Sequence, residues 1–140
     1  MSPNRRLRVL HLGSPTGLYG AERWILALIN NIDAARVESE VAVVLDDPRL
    51  DAPLCREAAA MGFASTVFRA YGKFSWAAVR QVREHIRSRR VDVLHTHGYK
   101  SDLIALLAVR GTGCRIVTTP HGWSTDADFK LKIYEALDRL

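Results

Sequence analysis

The sequence predicts an α/β fold: a doubly wound domain built on a parallel sheet. Short runs rich in β-branched residues alternate with longer segments whose apolar residues recur at helical spacing. Strands separated by helices of about 10–15 residues are typical of right-handed βαβ units, in which the strands run parallel. The 140 residues suffice for one domain with a sizeable core and not for two. We therefore expect one domain over residues 1–140.

Five apolar segments predict the strands. The first ends at Gly13, and the last is broken by Pro120, which cannot donate to a sheet ladder. We expect the strand order 3-2-1-4-5, as in Rossmann-like folds. The predicted strands are residues 8–12, 40–45, 65–68, 91–95 and 114–119.

The segments between these strands predict helices. In the first, residues 21–32, one face carries Trp24, Ile25, Leu28 and Ile32. A short second helix includes residues 58–60; Asp51 is its predicted cap, and Gly62 closes it.

Ser75 is the predicted cap of a long third helix. Its inward residues are Val79, Val82 and Ile86, and its outward residues are Arg80, Arg83 and Arg87. The fourth helix, residues 102–109, is almost wholly apolar and must be well buried; Gly111 stops it.

A final amphipathic helix places Phe129, Ile133, Leu137 and Leu140 on one side. Such a face normally packs on another element, and a strand after Leu140 would be the natural continuation. We therefore expect a fragment or a truncated gene product.

Composition sets limits on location and partners. Hydrophobic residues make up 48% and charged residues 25%, as in soluble globular domains, and no apolar run could span a bilayer. The N-terminus lacks the pattern of a signal peptide, so a cytoplasmic protein is expected. Cys55 and Cys114 fit neither a metal nor a disulfide spacing and are expected to be reduced, partly buried thiols.

The net charge of +5 and the pI of about 9.6 indicate an acidic partner. The arginines are spread over several segments, and no known nucleic-acid-binding motif is visible. A nucleotide diphosphate, a phospholipid surface and an anionic acceptor fit the charge equally well.

The expected crevice lies at the carboxyl ends of the first and fourth strands, where the winding direction reverses. The loop 13–20 supplies small residues and free backbone N–H groups before a helix, which favours a phosphate or another anion. Its glycines match neither the dinucleotide fingerprint nor a P-loop. A tight turn without a ligand is the alternative. Glu22 lies in the first turn of the helix, where a carboxylate is favourable even without a ligand.

Three histidines follow strands at this edge. His95, His97 and His121 could in principle form a three-imidazole zinc site, but their spacing matches no known ligand pattern and no metal is expected. In the alternative, His95 is a hydrogen-bonded core residue and His97 a polar residue at the loop mouth. His121, framed by Pro120 and Gly122, is expected to face a ligand.

Three further residues have open interpretations. Tyr99 and Lys100 open the fourth helix, where a ring and a cation could meet a polar acceptor or could simply be solvated. His11, inside the first strand, is expected to be structural.

Four motifs together resemble glycosyltransferase family 4, a group of retaining enzymes with the GT-B fold. They are Arg8-Val-Leu-His-Leu12, Tyr19-Gly-Ala-Glu-Arg23, Val91-Asp-Val-Leu-His-Thr-His-Gly98 and Val117-Thr-Thr-Pro-His-Gly122. The resemblance covers nearly the whole chain, in order. It implies the N-terminal half of a GT-B fold, which carries the acceptor and places the glycine loop against the diphosphate of a nucleotide-sugar donor.

The resemblance also implies roles for single residues. Gly17 and Gly20 match the loop that meets the donor diphosphate, and Glu22 matches the acidic residue after it. His121 matches the catalytic-site histidine near the transferred sugar, and His97 matches the second histidine of the fourth-strand motif. One residue departs from the family pattern: Tyr19 stands where the family usually has a glycine.

The family's second domain, which holds most of the nucleotide sugar, is not encoded in these residues. The implied reaction is hexosyl transfer to a hydroxyl of a glycan or lipid-linked acceptor, without metal or cofactor. The chain alone is expected to be inactive, needing that domain in cis or on a partner chain. The alternatives are a non-catalytic binding or partner-interaction module and a flavodoxin-like or nucleotide-binding regulator.

The third helix suggests a membrane contact. Lys73, Phe74 and Trp76 precede or begin it, and it carries five arginines. Cations beside aromatic residues favour a peripheral site on an anionic membrane, on the inner face. The alternative is a solvated helix with Trp76 in the core. The arginines are Arg80, Arg83, Arg87, Arg89 and Arg90.

Overall fold

The computed structural model describes residues 4–13, 18, 20–71 and 75–120. These form a five-stranded parallel sheet in the order β3-β2-β1-β4-β5, which confirms the predicted topology. The strands are β1 (Leu7–Gly13), β2 (Val37–Leu45), β3 (Ala64–Arg69), β4 (Val93–Thr96) and β5 (Arg115–Thr118). The helices are α1 (Gly20–Asn31), α2 (Pro53–Ala60), α3 (Trp76–Arg89) and α4 (Tyr99–Ala108).

Both faces of the sheet are covered, and β2 shows how the sequence achieves this. Ala42 and Val44 belong to a core cluster shared with α3 and α4, whereas Val41, Val43 and Leu45 belong to a second cluster shared with α1 and α2. Successive side chains of a strand point to opposite faces, so an unbroken apolar run fills two cores at once. This two-sided burial is what distinguishes a doubly wound sheet from a sandwich.

The buried face of α1 differs from the predicted one. Ile25, Ile29 and Glu22 are buried, at the spacing of one helical stripe. Trp24, predicted to share the buried face, is 41% exposed. It lies beside the stripe, where its ring contacts histidines at the end of the sheet. The spacing of Trp24 in the sequence therefore did not distinguish a buried core position from an exposed position at the end of the sheet.

The predicted helix caps have mixed outcomes. Ser75 caps α3, its hydroxyl accepting from the backbone N–H of Ala77 at 3.1 Å, as predicted. Asp51 does not cap α2, where the N-cap is Ala52. The Asp51 carboxylate is engaged by the N–H of Ala52 and by Arg56. Pro53 in the first turn favours the start of this helix, because its fixed φ suits a helix and its missing N–H would have had no partner there.

Arg83 is also placed differently from its prediction. It was expected to face outward, but its guanidinium donates to the backbone carbonyls of Leu107 at 2.6 Å and Ala108 at 3.2 Å. Unpaired carbonyls end every α-helix, and a cation is favourable there. Arg83 therefore fastens α3 to the end of α4.

Other predictions are confirmed or fall outside the described residues. Val79, Val82 and Ile86 face the core. Cys55 and Cys114 are free and buried, and burial raises the pKa of each thiol to about 11. The last predicted helix lies among residues 121–140, which are outside the described part. Among the described residues, no helix has both the length and the apolar character to cross a membrane.

Candidate functional site

The candidate site is the carboxyl edge of β1 and β4, the two central strands. They pair in parallel register, with His11 opposite His95 and Leu12 opposite Thr96. β1 ends at Gly13, where an added Cβ would lie 2.4 Å from Cδ2 of the buried Leu54. A larger residue would force the Leu54 side chain to shift, so close packing favours glycine where the chain leaves the sheet.

The first turn of α1 follows the glycine loop. Gly20 begins this helix, and the carboxylate-bearing Glu22 is only 4% exposed. A Cβ at Gly20 would meet nothing within 4 Å, so packing among the described residues does not demand glycine there. Gly17 and Tyr19 lie outside the described residues, and so does His121.

Three imidazoles gather at this edge. His11 and His95 are buried, with Nδ1 atoms 3.0 Å apart, and His97 is half-buried. The rings of His95 and His97 have centroids 4.1 Å apart. One ring nitrogen from each of the three histidines lies within 4.8 Å of the others. Trp24 borders the group, its centroid 5.6 Å from that of His97.

Hydrogen bonding restricts the tautomers of the buried pair. One Nδ1 must donate to the other, and Nε2 of His95 bonds Oγ1 of Thr119 at 2.7 Å. Nε2 of His11 is buried and has no hydrogen-bond partner among the described residues. Burial, together with the charge of His95, lowers the pKa of His11 to about 3. His11 is therefore neutral at physiological pH.

The other wall of the crevice is the start of α4. Lys100, predicted to meet an acceptor, pairs with Asp46, which follows β2. This ion pair joins two elements across the mouth of the site. Tyr99 begins the helix. An acceptor that bound Lys100 would have to share it with Asp46.

A buried carboxylate anchors α4 to the strand ends. Asp102 accepts hydrogen bonds from the hydroxyls of Thr96 and of Thr118, the latter at 3.2 Å. The two hydroxyls are themselves 2.9 Å apart. This small network fixes the β4–α4 turn, which carries His97, against β5.

Sequence reasoning missed His11, Trp24 and Asp46 as members of the site. His11 was predictable, since the expected strand order already made β1 the neighbour of β4, and both strands carry a histidine near the carboxyl end. Trp24 gave a misleading apolar signal. Asp46 gave no signal in the sequence, because it is 54 positions away from Lys100 and meets it only in the folded chain.

Comparison with known families identifies the chain. The model of glycosyltransferase family 4 matches residues 19–140. The chain belongs to glycosyltransferase family 4. No curated protein matches the sequence.

Solved structures share the fold. A glycosyltransferase from Rickettsia africae superposes with a TM-score of 0.71 at 16% identity, over 92% of this chain and 33% of that one. A UDP-N-acetylglucosamine 2-epimerase gives 0.59 at 14% identity, over 90% and 36%. A universal stress protein family protein from Arabidopsis thaliana, with AMP bound, gives 0.51 at 11% identity, over 87% and 98%. This chain thus spans about a third of the length of the glycosyltransferase and of the epimerase.

Proposed function

We propose that residues 1–140 form the N-terminal, acceptor-side domain of a retaining, hexosyl-transferring glycosyltransferase with the GT-B fold. The whole enzyme would move a sugar from a nucleotide-sugar donor to a hydroxyl of a glycan or lipid-linked acceptor. The observation that carries the proposal is the carboxyl edge itself. There the family 4 residues Gly20, Glu22 and His97 come from two different βα connections that flank the central strands.

The donor diphosphate is proposed to lie against the glycine loop and the start of α1. Unpaired N–H groups and the helix dipole favour an anion at this position. The open space over Gly20 supports a ligand there, because no atom of the described residues lies within 4 Å of the position that a Cβ would take. Gly17 contributes to the same loop, and Glu22 follows in the first turn.

The acceptor is proposed to bind on the other side of the crevice, at His97, Tyr99 and Lys100. Lys100 supplies a cation whose position is fixed by Asp46. His121 is the proposed catalytic residue, near the transferred sugar, and no cofactor beyond the donor itself is required.

A second Rossmann-like domain, in cis or on a partner chain, would hold most of the nucleotide sugar. The length comparison supports this, since the chain covers only 33% of the structurally similar glycosyltransferase. The isolated chain should then be inactive and should bind nucleotide sugars weakly. If calorimetry gave a micromolar affinity of the isolated chain for a nucleotide sugar, the assignment of donor binding to the second domain would be wrong.

The test is a screen of donors and acceptors on a protein that includes the second domain, followed by His121→Ala. Loss of a group that stabilises the transition state typically lowers turnover about 100-fold or more. The matched control is His85→Ala, because His85 lies on α3 and pairs with Glu40, away from this edge. Near-normal turnover by a folded His121→Ala protein would remove His121 from the catalytic site.

A second candidate function is a non-catalytic binding or partner-interaction module. The likeness to the universal stress protein supports it, because this chain matches 98% of that protein, so the same fold can make up a whole chain. The same screen separates the two: transfer activity in any longer form argues for the transferase, whereas partner binding without turnover argues for the module.

We further propose a cytoplasmic location with peripheral contact to an anionic membrane through α3. Trp76 is 63% exposed, which removes the alternative of a core tryptophan. Two of the five arginines are engaged within the domain, Arg83 with α4 and Arg89 with Glu40 at 2.7 Å. The proposed contact with the membrane is therefore made by Arg80, Arg87 and Arg90.

Basic residues near an anionic surface contribute roughly 1 kcal/mol each. Cosedimentation with anionic vesicles should therefore be salt-sensitive and should fall in an Arg80→Gln, Arg87→Gln, Arg90→Gln variant. Neutral vesicles serve as the control. Equal, negligible pelleting with both kinds of vesicle would leave α3 as ordinary surface.

A further inference from the structure

We propose that His11, His95 and His97 bind one divalent transition-metal ion at the carboxyl edge of β1 and β4. One ring nitrogen from each histidine already lies within 4.8 Å of the other two. The residues differ from the triad that the sequence suggested, because His11 joins the pair in place of His121. The site shares His97 with the proposed acceptor side, but its metal binding is measured without glycosyl transfer.

Two rigid elements create the cluster. His11 and His95 are register partners on adjacent parallel strands, which directs their rings to the same face of the sheet. His97 lies just after the end of β4, two residues beyond His95, and its ring centroid is 4.1 Å from that of His95. A site built on paired strands is positioned more exactly than one on loops. Backbone geometry thus brings the three rings together.

The first pair is already spaced for a metal. Two nitrogens that each lie at about 2.05 Å from a tetrahedral zinc ion are roughly 3.3 Å apart. The Nδ1 atoms of His11 and His95 are 3.0 Å apart, so a small widening would admit the ion. His97 must close a gap of up to 4.8 Å, and it is the half-buried member at the mouth. A side-chain rotation of His97 completes the set.

His95 makes the kind of hydrogen bond that orients a metal-binding histidine. A metal-binding histidine usually bonds an oxygen through its other ring nitrogen, which fixes its tautomer and orientation. Nε2 of His95 bonds Oγ1 of Thr119 at 2.7 Å, leaving Nδ1 on the side of His11. Thr119 therefore acts as the positioning residue of the site.

The cluster is also incompletely satisfied as it stands. His11 is only 1% exposed, yet its Nε2 has no hydrogen-bond partner among the described residues. A buried polar atom left in this way is rare and calls for a compensating role. A purely structural histidine would be expected to use both nitrogens, so the unpartnered Nε2 indicates that His11 has another role. Binding an ion through its other nitrogen, Nδ1, supplies such a role.

The ligand chemistry limits the choice of metal. Neutral imidazoles suit Zn²⁺, Cu²⁺, Ni²⁺ and Co²⁺, whereas Mg²⁺ and Ca²⁺ prefer oxygen ligands. Three histidines leave a fourth position for water or another ligand. Zn²⁺ and Co²⁺ are therefore the appropriate probes.

The experiment uses the whole chain without a polyhistidine tag, stripped with a chelator. Zn²⁺ affinity is measured by competition with a chromophoric chelator, and Co²⁺ binding by its visible absorption. One equivalent should bind, with the intense visible bands of a tetrahedral nitrogen site. His97→Gln should weaken binding more than tenfold, and Thr119→Val by about 10–100-fold. His85→Gln is the matched control, a half-buried histidine outside the cluster, and should bind as the wild type does.

Several outcomes would overturn the proposal. These are the absence of stoichiometric binding, unchanged affinity in a folded His97→Gln protein, or an equal loss in His85→Gln. A thiolate-to-Co²⁺ charge-transfer band would place the ion at a cysteine instead. Because His97 is half-buried, its substitution should fold even if a change at the buried His11 does not.

Discussion

The two edges of the sheet treat their polar groups in opposite ways. At the amino edge, the backbone N–H of Arg8 donates to Asp92 at 2.8 Å, and Arg5 forms an ion pair with the same carboxylate at 2.5 Å. At the carboxyl edge, three imidazoles crowd together, and Nε2 of His11 lacks a partner among the described residues. Polar groups that have hydrogen-bond partners stabilise a fold. A buried polar group without a partner costs stability, so its presence indicates a role other than stability.

The difference follows from the architecture. In a doubly wound sheet the loops that bind ligands leave the carboxyl ends of the strands, so the amino ends are available for structural contacts alone. Toward the amino edge, the buried Glu40 binds both His85 and Arg89 of α3, at 2.8 Å and 2.7 Å. We expect substitutions there to reduce stability and substitutions at the carboxyl edge to affect binding.

The largest expected effect on stability is that of Glu40→Gln. The carboxylate is buried and accepts charged hydrogen bonds from two residues, one of which is itself largely buried. Such bonds contribute about 1.5–3 kcal/mol each, and the amide retains part of them, so we expect a loss of about 2 kcal/mol. Urea denaturation at pH 7 measures it. Asp51→Asn, at an exposed ion pair, is the control and should change little.

The same variant makes a pH-dependent prediction. The hydrogen bond from His85 holds the pKa of Glu40 below its usual 4.5 against the effect of burial, and Arg89 adds to it. The folded state thus favours the charged carboxylate, and its contribution is fully present above pH 4.5 and is lost as the pH falls further. The stability difference between wild type and Glu40→Gln should be constant near neutrality and shrink below pH 4.5. A difference that stays constant down to pH 3 would contradict this assignment.

A smaller loss is expected for Asp92→Ala at the amino edge. Burial opposes ionisation, but the N–H of Arg8 and then the Arg5 guanidinium outweigh it and hold the pKa of Asp92 below its usual range. Removing the carboxylate leaves the N–H of Arg8 without its acceptor, at a cost of about 1–2 kcal/mol. Arg5→Met should cost less, because that side chain is 39% exposed. Equal losses in the two variants would show that the ion pair, not the backbone bond, matters.

The sequence predicted the fold better than the site. The α3 cap and the inward face of Val79, Val82 and Ile86 followed from periodicity and capping rules, which are local. The strand order followed from the order typical of Rossmann-like folds. The partners of Lys100 and Arg83 did not, because each contact joins segments far apart in the chain. The place of Trp24 was missed for a different reason: an aromatic ring beside a buried stripe has the same spacing as one inside it.

The smallest expected effect on stability, and the one that most sharpens the comparison, is that of His11→Leu. The substitution has two opposing effects: it leaves Nδ1 of the buried His95 without its partner, but it removes the desolvation cost of the unpartnered Nε2 of His11. His11 makes one hydrogen bond to a described residue, with His95, and leaves its second nitrogen unpartnered. In a chelator-treated sample we expect a change within about 1 kcal/mol in either direction. Thermal and urea denaturation of the metal-free protein measure it. A loss as large as that of Glu40→Gln would mean that His11 is a structural residue, and the contrast between the two edges would fail.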